Sequence, residues 1–376
     1  MARFSVVVCG GGVAGLEAIL RLRRLAGDRL DITLLSPSDT FRYRPWTVLE
    51  PFDQVAVRHY PISTLVQDAR CRWIHGELGW VNRTAHLVYT RAGDEVPYDA
   101  LVIAAGGREL PSPPPVLSFA ERTAKDYQTV VENAVAEKLD SIGYIAPASP
   151  CWPLPLYELA LMTAARLAIA GSACALTLDE PADRPLAVFG PAVADAIVPV
   201  LHDAGIRLRT GPAATRHSER LTVQADPRLI LVTVPRIAAE SIPGLPSHPV
   251  DGFLPIDEHS RLIGGDGTVF AAGDITQSPI KHGALAAQQA DNAAAMIAHL
   301  AGAAPYPGIH NPVLRATLLT GKRPIYLKAQ LVGDQVLKCS ATRTPRWSAT
   351  DKITSRELSP YLARVPARNV VASGAS

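Results

Sequence analysis

Phe4-Ser5-Val6-Val7-Val8-Cys9-Gly10-Gly11-Gly12-Val13-Ala14-Gly15 is an apolar run that stops at three glycines and resumes with helical spacing. The β-branched stretch before Gly10 favours a strand, and Leu16, Ile19, Leu20 and Leu22 recur on one face of a helix that runs to about Ala26. A second apolar run, residues 31–35, completes a βαβ unit. Between strand and helix, Gly10, Gly12 and Gly15 satisfy G-x-G-x-x-G. In such a turn the first glycine permits the tight bend, the second lets the backbone approach a pyrophosphate, and the third lets the helix close on the sheet. The positive helix end then faces the phosphates. A glycine-rich strand exit alone is also a plain turn; this position makes a dinucleotide the expected ligand. Ser36, with Asp39 three residues on, stands where an acidic side chain usually takes the ribose hydroxyls, so the phosphate contact is the firmer expectation.

Working outward, the 376 residues are 48% apolar and 19% charged, enough for two domains with their own cores. The formal charge is +2 and the basic residues are scattered, which argues against nucleic acid as a partner. No export signal precedes the first strand, so a cytoplasmic protein is expected. The most apolar long stretch, residues 159–177, carries Arg166 and is interrupted by Gly171, so no integral membrane segment is expected. Five cysteines (Cys9, Cys71, Cys151, Cys174, Cys339) contain no C-x-x-C pair, which excludes a local redox dithiol and a cysteine-rich zinc site; no metal is expected. Cys9, Cys71 and Cys174 lie in or near apolar strands and read as core residues.

Further along, the strand at 100–104 ends in Ala105-Gly106-Gly107, and a proline-rich link, residues 111–115, reads as a stiff crossover. A second unit follows: a strand at 142–146, a loop at 147–155, a helix at 156–170, then strands at 174–178, 206–209 and 229–234. The chain returns through 252–263 to a strand at 268–272, Gly273-Asp274, and an alanine-rich helix ending near Gly302. Apolar runs at 314–319 and 325–332 suggest a small strand-containing cap. The expected fold is α/β, with two Rossmann-like domains and the first split around the second: residues 1–110 and 251–303, then 111–250, then the cap at 304–376. Gly273-Asp274 narrows the dinucleotide to FAD, because a carboxylate at that strand end suits the ribitol hydroxyls, which NAD lacks. An aspartate that merely caps a turn is the plain alternative.

On these motifs, with Tyr98-Asp99-Ala100-Leu101-Val102-Ile103-Ala104-Ala105-Gly106, Leu154-Pro155-Leu156-Tyr157-Glu158-Leu159-Ala160 and residues 272–294, the sequence resembles the FAD-dependent pyridine nucleotide-disulfide oxidoreductases. The branch is that of the sulfide:quinone oxidoreductases and type II NADH dehydrogenases. The resemblance runs from the N-terminus to about Leu327. It implies that Val13, Ala14, Arg44, Pro45, Ala105, Gly106, Gly273 and Asp274 contact FAD, and that Lys281, His282 and Gly283 open a helix aimed at the flavin's pyrimidine edge. The positive end of that helix, worth roughly 0.3 to 1 kcal/mol, favours the negative charge that a flavin gains on reduction, and Lys281 is expected to add to it.

Two departures bear on the donor. The second domain's turn, Pro147-Ala148-Ser149-Pro150-Cys151-Trp152-Pro153-Leu154-Pro155, has four prolines and no glycine, so the usual NAD(P)H site is expected to be absent. Cys151 matches the position of a catalytic cysteine in the sulfide-oxidising relatives, where a lowered pKa would make it a nucleophile. The partner cysteine that this chemistry needs is missing: the matching segment reads Leu318-Leu319-Thr320-Gly321, and Cys339 comes later. A packed loop cysteine is the alternative for Cys151. The tail at 350–364 lacks long amphipathic helices, which points to a soluble acceptor or a partner protein. The leading expectation is an FAD oxidoreductase in which a small donor, a thiol or sulfide species among them, reduces the flavin and a quinone or other small acceptor reoxidises it. An NAD(P)H reductase with an atypical nucleotide site and a non-turnover flavin sensor or partner subunit stay open.

Overall fold

The computed structural model describes residues 3–53, 57–147, 150–223, 226–309, 311–333, 335–347 and 352–369. Two five-stranded parallel sheets form its frame. In the first, Phe4–Cys9 lies between Leu30–Ser36 and Ala100–Ile103, with Arg72–His75 on one edge and Val269–Ala271 on the other. The strand order reverses beside Phe4–Cys9, and such a switch point opens a ligand crevice at the carboxyl ends of the strands. Val6, Val8, Ile32, Leu34 and Val102 are all fully buried, as expected of a parallel sheet covered on both faces.

The second sheet repeats the pattern. Ser141–Ile145 lies between Ala175–Glu180 and Leu229–Thr233, and Ile206–Thr210 and Val116–Ser118 complete the edges. The last strand of the first sheet, Val269–Ala271, therefore enters only after the second sheet is complete. The outward and returning crossings pair with each other, Arg108–Leu110 against Arg236–Ala238, in one antiparallel ribbon. The 111–115 link thus begins beside a hydrogen-bonded strand as well as carrying stiff prolines.

Two helices cover one face of the first sheet. Val13–Ala26 packs along Gly283–Leu300, whose buried Ala286, Ala290, Ala293 and Ala294 allow close approach. An antiparallel meander, Leu78–Asn82, Leu87–Thr90 and Glu95–Pro97, precedes Ala100–Ile103. The cap holds the two expected strands, Val313–Leu318 and Ile325–Val332, and a third, Gln335–Thr342. A bulge at Leu337 turns Val336 and Cys339 to the same side, against Gly190. After residue 351 the tail folds back onto the molecule, and Glu17 anchors it. The carboxylate of Glu17, fully buried, accepts the backbone N–H groups of Arg356, Glu357 and Leu358.

Candidate active site

The Gly10 turn is shaped by backbone crowding on one side and open space on the other. Gly10 has φ +120°, and a Cβ there would sit 2.1 Å from the Ala104 oxygen. A Cβ on Gly15 would sit 1.8 Å from the Gly10 oxygen. At Gly12 a Cβ would meet no atom within 4 Å, and no side chain caps the helix that begins at Val13. The first-turn N–H groups of Val13 and Ala14 therefore open onto free space, the arrangement an oxyanion needs. Ser36 is buried beside Gly11, its hydroxyl 2.8 Å from where a Gly11 Cβ would lie, while Asp39 is exposed.

The same groove collects the other strand exits. Ala105 is exposed, and Gly106 has φ +77° with open space in front of it. A Cβ on Gly107 would approach Asp274 Cβ to 3.3 Å, which joins the rim of Ala104 to Gly107 with that of Gly273 and Asp274. Gly273, φ +86°, sits between Ala14 and Ala286 of the two covering helices, and its N–H donates to Gln289 Oε1 at 2.7 Å. Burial raises the Asp274 carboxyl pKa, and Lys281 and Arg44 oppose the rise. Arg44 is exposed and shares Glu109 and Glu121 at 3.7 and 3.6 Å. Pro45 follows it at the start of the 3-10 stretch Arg44–Phe52.

The ammonium of Lys281 is directed inward. It donates to the carbonyls of Asp274 (3.0 Å) and Thr276 (2.7 Å) and lies 3.5 Å above the Phe253 ring; burial pulls its pKa down to about 8. It stiffens the loop that presents Asp274. His282, packed 4.4 Å from Trp152, is pushed down to about 3 by burial and then by Lys352, so it is neutral at neutral pH. Gly283 is backed by Ile353, whose Cδ1 would lie 2.7 Å from a Cβ there. Three buried polar atoms in this neighbourhood, Trp46 Nε1, Thr47 Oγ1 and His282 Nδ1, have no hydrogen-bond partner among the described residues. Open glycine cradle, free helix end and unpartnered donors all suit a bound dinucleotide.

Cys151 pairs as a parallel bridge with Ile280, next to Lys281, so the proline loop of the second sheet is brought against the closing helix. Ala148 and Ser149 of that loop lie outside the described residues, as do Thr350 and Asp351 of the tail. The Cys151 thiol is buried, donates to the Pro147 carbonyl at 3.6 Å, and is pushed up to about 12 by burial and by Glu180. Glu180 ends the second strand of its sheet, where a nucleotide ribose would need an acid, but it accepts Tyr157 Oη at 3.0 Å and the Ala182 N–H at 3.3 Å. Cys339 Sγ faces Gly190.

The residue that sequence reasoning missed is Lys352. The residue is 8% exposed, and its ammonium donates to both carboxylate oxygens of the fully buried Glu158 at 2.8 and 2.7 Å and lies 5.6 Å from the Trp46 ring. Glu158 also accepts the Leu319 N–H at 3.0 Å. Glu158 stood inside a quoted motif; no signal tied it to a lysine 194 residues away. Among the described residues no cluster could hold a metal ion, and no helix is long and apolar enough to cross a membrane.

Two five-stranded parallel sheets, the first completed only after the second, with one open glycine cradle, define a Rossmann-like α/β fold. Residues 4–143 match the family model described as "Pyridine nucleotide-disulphide oxidoreductase". The chain is 29% identical over 138 residues to the type II NADH:quinone oxidoreductase of Staphylococcus haemolyticus, covering 35% of this chain and 31% of that protein. It is 31% identical over 179 residues to the sulfide-quinone reductase of Aquifex aeolicus, covering 42% and 38%. The aligned stretches thus span about a third of these relatives' length. The solved sulfide:quinone oxidoreductase of Aquifex aeolicus superposes with a TM-score of 0.73 at 18% identity, over 90% of this chain and 86% of that one, a likeness of fold. The resemblance read from the motifs stands.

Proposed function

We propose that this chain is an FAD-dependent oxidoreductase whose first sheet holds the dinucleotide and whose flavin accepts electrons from a small donor at the face built by the 147–155 loop. One observation carries the reading: Gly10, Gly12 and Gly15, Ala105-Gly106, and Gly273-Asp274 converge on a single groove at the strand exits. In it the N–H groups of Val13 and Ala14 would hold the pyrophosphate, Asp274 would take ribitol hydroxyls, and Ser36 would stand at the adenosine end. Flavin supplies a two-electron acceptor that can pass electrons onward singly or in pairs. The uncapped start of Gly283–Leu300 contributes positive potential, and neutral His282 neither gives nor takes a proton at neutral pH.

The acceptor fits a quinone or another small oxidant, by likeness to the two relatives named above. The purified protein should be yellow, with a flavin spectrum and a released cofactor of FAD mass; colourless protein that gains no flavin on incubation with FAD overturns the reading. Anaerobic titration assigns the donor. Bleaching by sulfide or a small thiol supports the leading reading, and bleaching by NADH alone transfers the role to a nicotinamide.

A second reading, flavin binding without turnover as a sensor or partner subunit, is favoured by the state of Cys151. A thiol raised to about 12, its S–H donating to the Pro147 carbonyl, is not an activated nucleophile. If Cys151→Ser reduces as fast as the parent, thiol chemistry at this residue is excluded. If instead every donor fails to reduce the parent protein, the sensor reading is left.

A further inference from the structure

Beyond the groove, a cavity of about 900 Å³ lies between the second sheet's loops, the closing helix, the cap and the returning tail. That is within the size range of small-molecule sites. One part of its wall is apolar, from Val188, Ile280, Leu285, Leu331 and Val336, with Cys151 beside them. Elsewhere the wall carries the guanidinium of Arg315, projecting from the edge strand Val313–Leu318.

Arg315 is half-buried, and among the described residues it has no side-chain hydrogen bond and no ion pair. Other sequestered cations of this chain are provided for: Arg21 by Glu357, Arg209 by Asp179, Lys281 by two carbonyls, Lys352 by Glu158. The remaining polar groups of the wall are largely committed. Gln288 is used by Ala284 and Val313, and Glu180 by Tyr157 and Ala182. Arg356 lies 3.7 Å from Asp291, which also faces Arg21 at 3.8 Å. Thr354 Oγ1 is a further buried hydroxyl without a partner among the described residues. A half-buried guanidinium with nothing opposite it is an unfavourable arrangement that an anion relieves.

We propose that this cavity binds an amphipathic monocarboxylate, its carboxylate on Arg315 and its apolar body along the wall toward Cys151. A single charge is preferred because one guanidinium of the wall, that of Arg315, is unpaired among the described residues, whereas that of Arg356 faces Asp291. The proposal stands apart from the flavin reading, since binding is measured with or without turnover.

Calorimetric titration of the purified full chain with decanoate, naphthoate, decanol and inorganic phosphate tests it. Saturable binding of at least one carboxylate is expected, weakened on the order of tenfold in Arg315→Gln and less in Arg315→Lys, with decanol indifferent to both changes. Val188→Trp, which fills part of the apolar wall without touching the guanidinium, is expected to weaken the carboxylate as well. The proposal is overturned if neither carboxylate binds, if Arg315→Gln binds them as the parent does, or if phosphate binds as tightly as the carboxylates. Thermal melts of each variant separate loss of fold from loss of the site.

Discussion

The two turns that launch the two Rossmann-like helices hold matching places and are built differently. After Phe4–Cys9 the chain turns on glycines, and Val13–Ala26 starts uncapped beside open space. After Ser141–Ile145 it turns through prolines, and Leu154–Ala170 starts behind Cys151, bridged to Ile280, and Trp152, packed on His282 and Phe189. Yet the fifth residue of each helix is a fully buried glutamate, Glu17 and Glu158, and both are satisfied by the returning tail. The difference teaches that two helices in matching places can share a buried carboxylate anchor while only one of the turns before them offers an open backbone cradle. The second loop is a wall of the large cavity, and the first is a cradle.

Each prediction presses on that contrast. Lys352→Met leaves Glu158 buried without its cation, and stability is expected to fall by about 3–5 kcal/mol in urea unfolding. An unchanged midpoint would mean that the tail does not anchor the second helix. Gly15→Ala makes the first turn as closed as the second by driving a methyl group onto the Gly10 carbonyl. A loss of about 1–3 kcal/mol and of bound flavin absorbance is expected, whereas Pro153→Ala should leave flavin content intact. Equal flavin in both variants would erase the distinction.

Cys151, held at about 12, has roughly one thiolate in ten thousand at pH 8, against about one in four for an unperturbed cysteine. Alkylation by iodoacetamide, followed by mass spectrometry, should be slower than in the urea-unfolded chain by about a thousandfold. A rate matching the unfolded chain would return Cys151 to the nucleophile role. The smallest effect concerns Asp291, raised from 3.8 to about 7 by burial and by the neighbouring Glu17. The folded state keeps a proton that the unfolded chain releases near pH 4, so this group's contribution is complete below pH 4 and is lost as pH rises through 7. Asp291→Asn should flatten that decline in thermal melts taken between the two values.

The first turn was legible because glycine spacing, strand and helix all agreed there, and eight of the ten strands of the two sheets because buried parallel strands are continuous apolar runs such as Val6-Val7-Val8 and Leu101-Val102-Ile103; the short edge strands Arg72–His75 and Val116–Ser118 carry no such run and were not read. The meander and the strand Gln335–Thr342 escaped notice because their exposed faces break the apolar pattern, with Trp80 and Leu337 turned outward. Residues near Gly273 could be tied to the groove by motif, but the direction of the Lys281 ammonium could not, since it depends on Phe253 and two carbonyls. Glu158–Lys352 and the Arg315 cavity were illegible for the same reason: they join segments that only tertiary packing brings together.

The clasp formed by the tail has a consequence in time. Glu158 leaves the ribosome 194 residues before Lys352, and Glu17 341 residues before Leu358. At about 5–20 residues per second, Glu158 waits on the order of ten to forty seconds for its cation. During translation both helices therefore carry a buried-site carboxylate whose partners in the 352–358 stretch are still to be made.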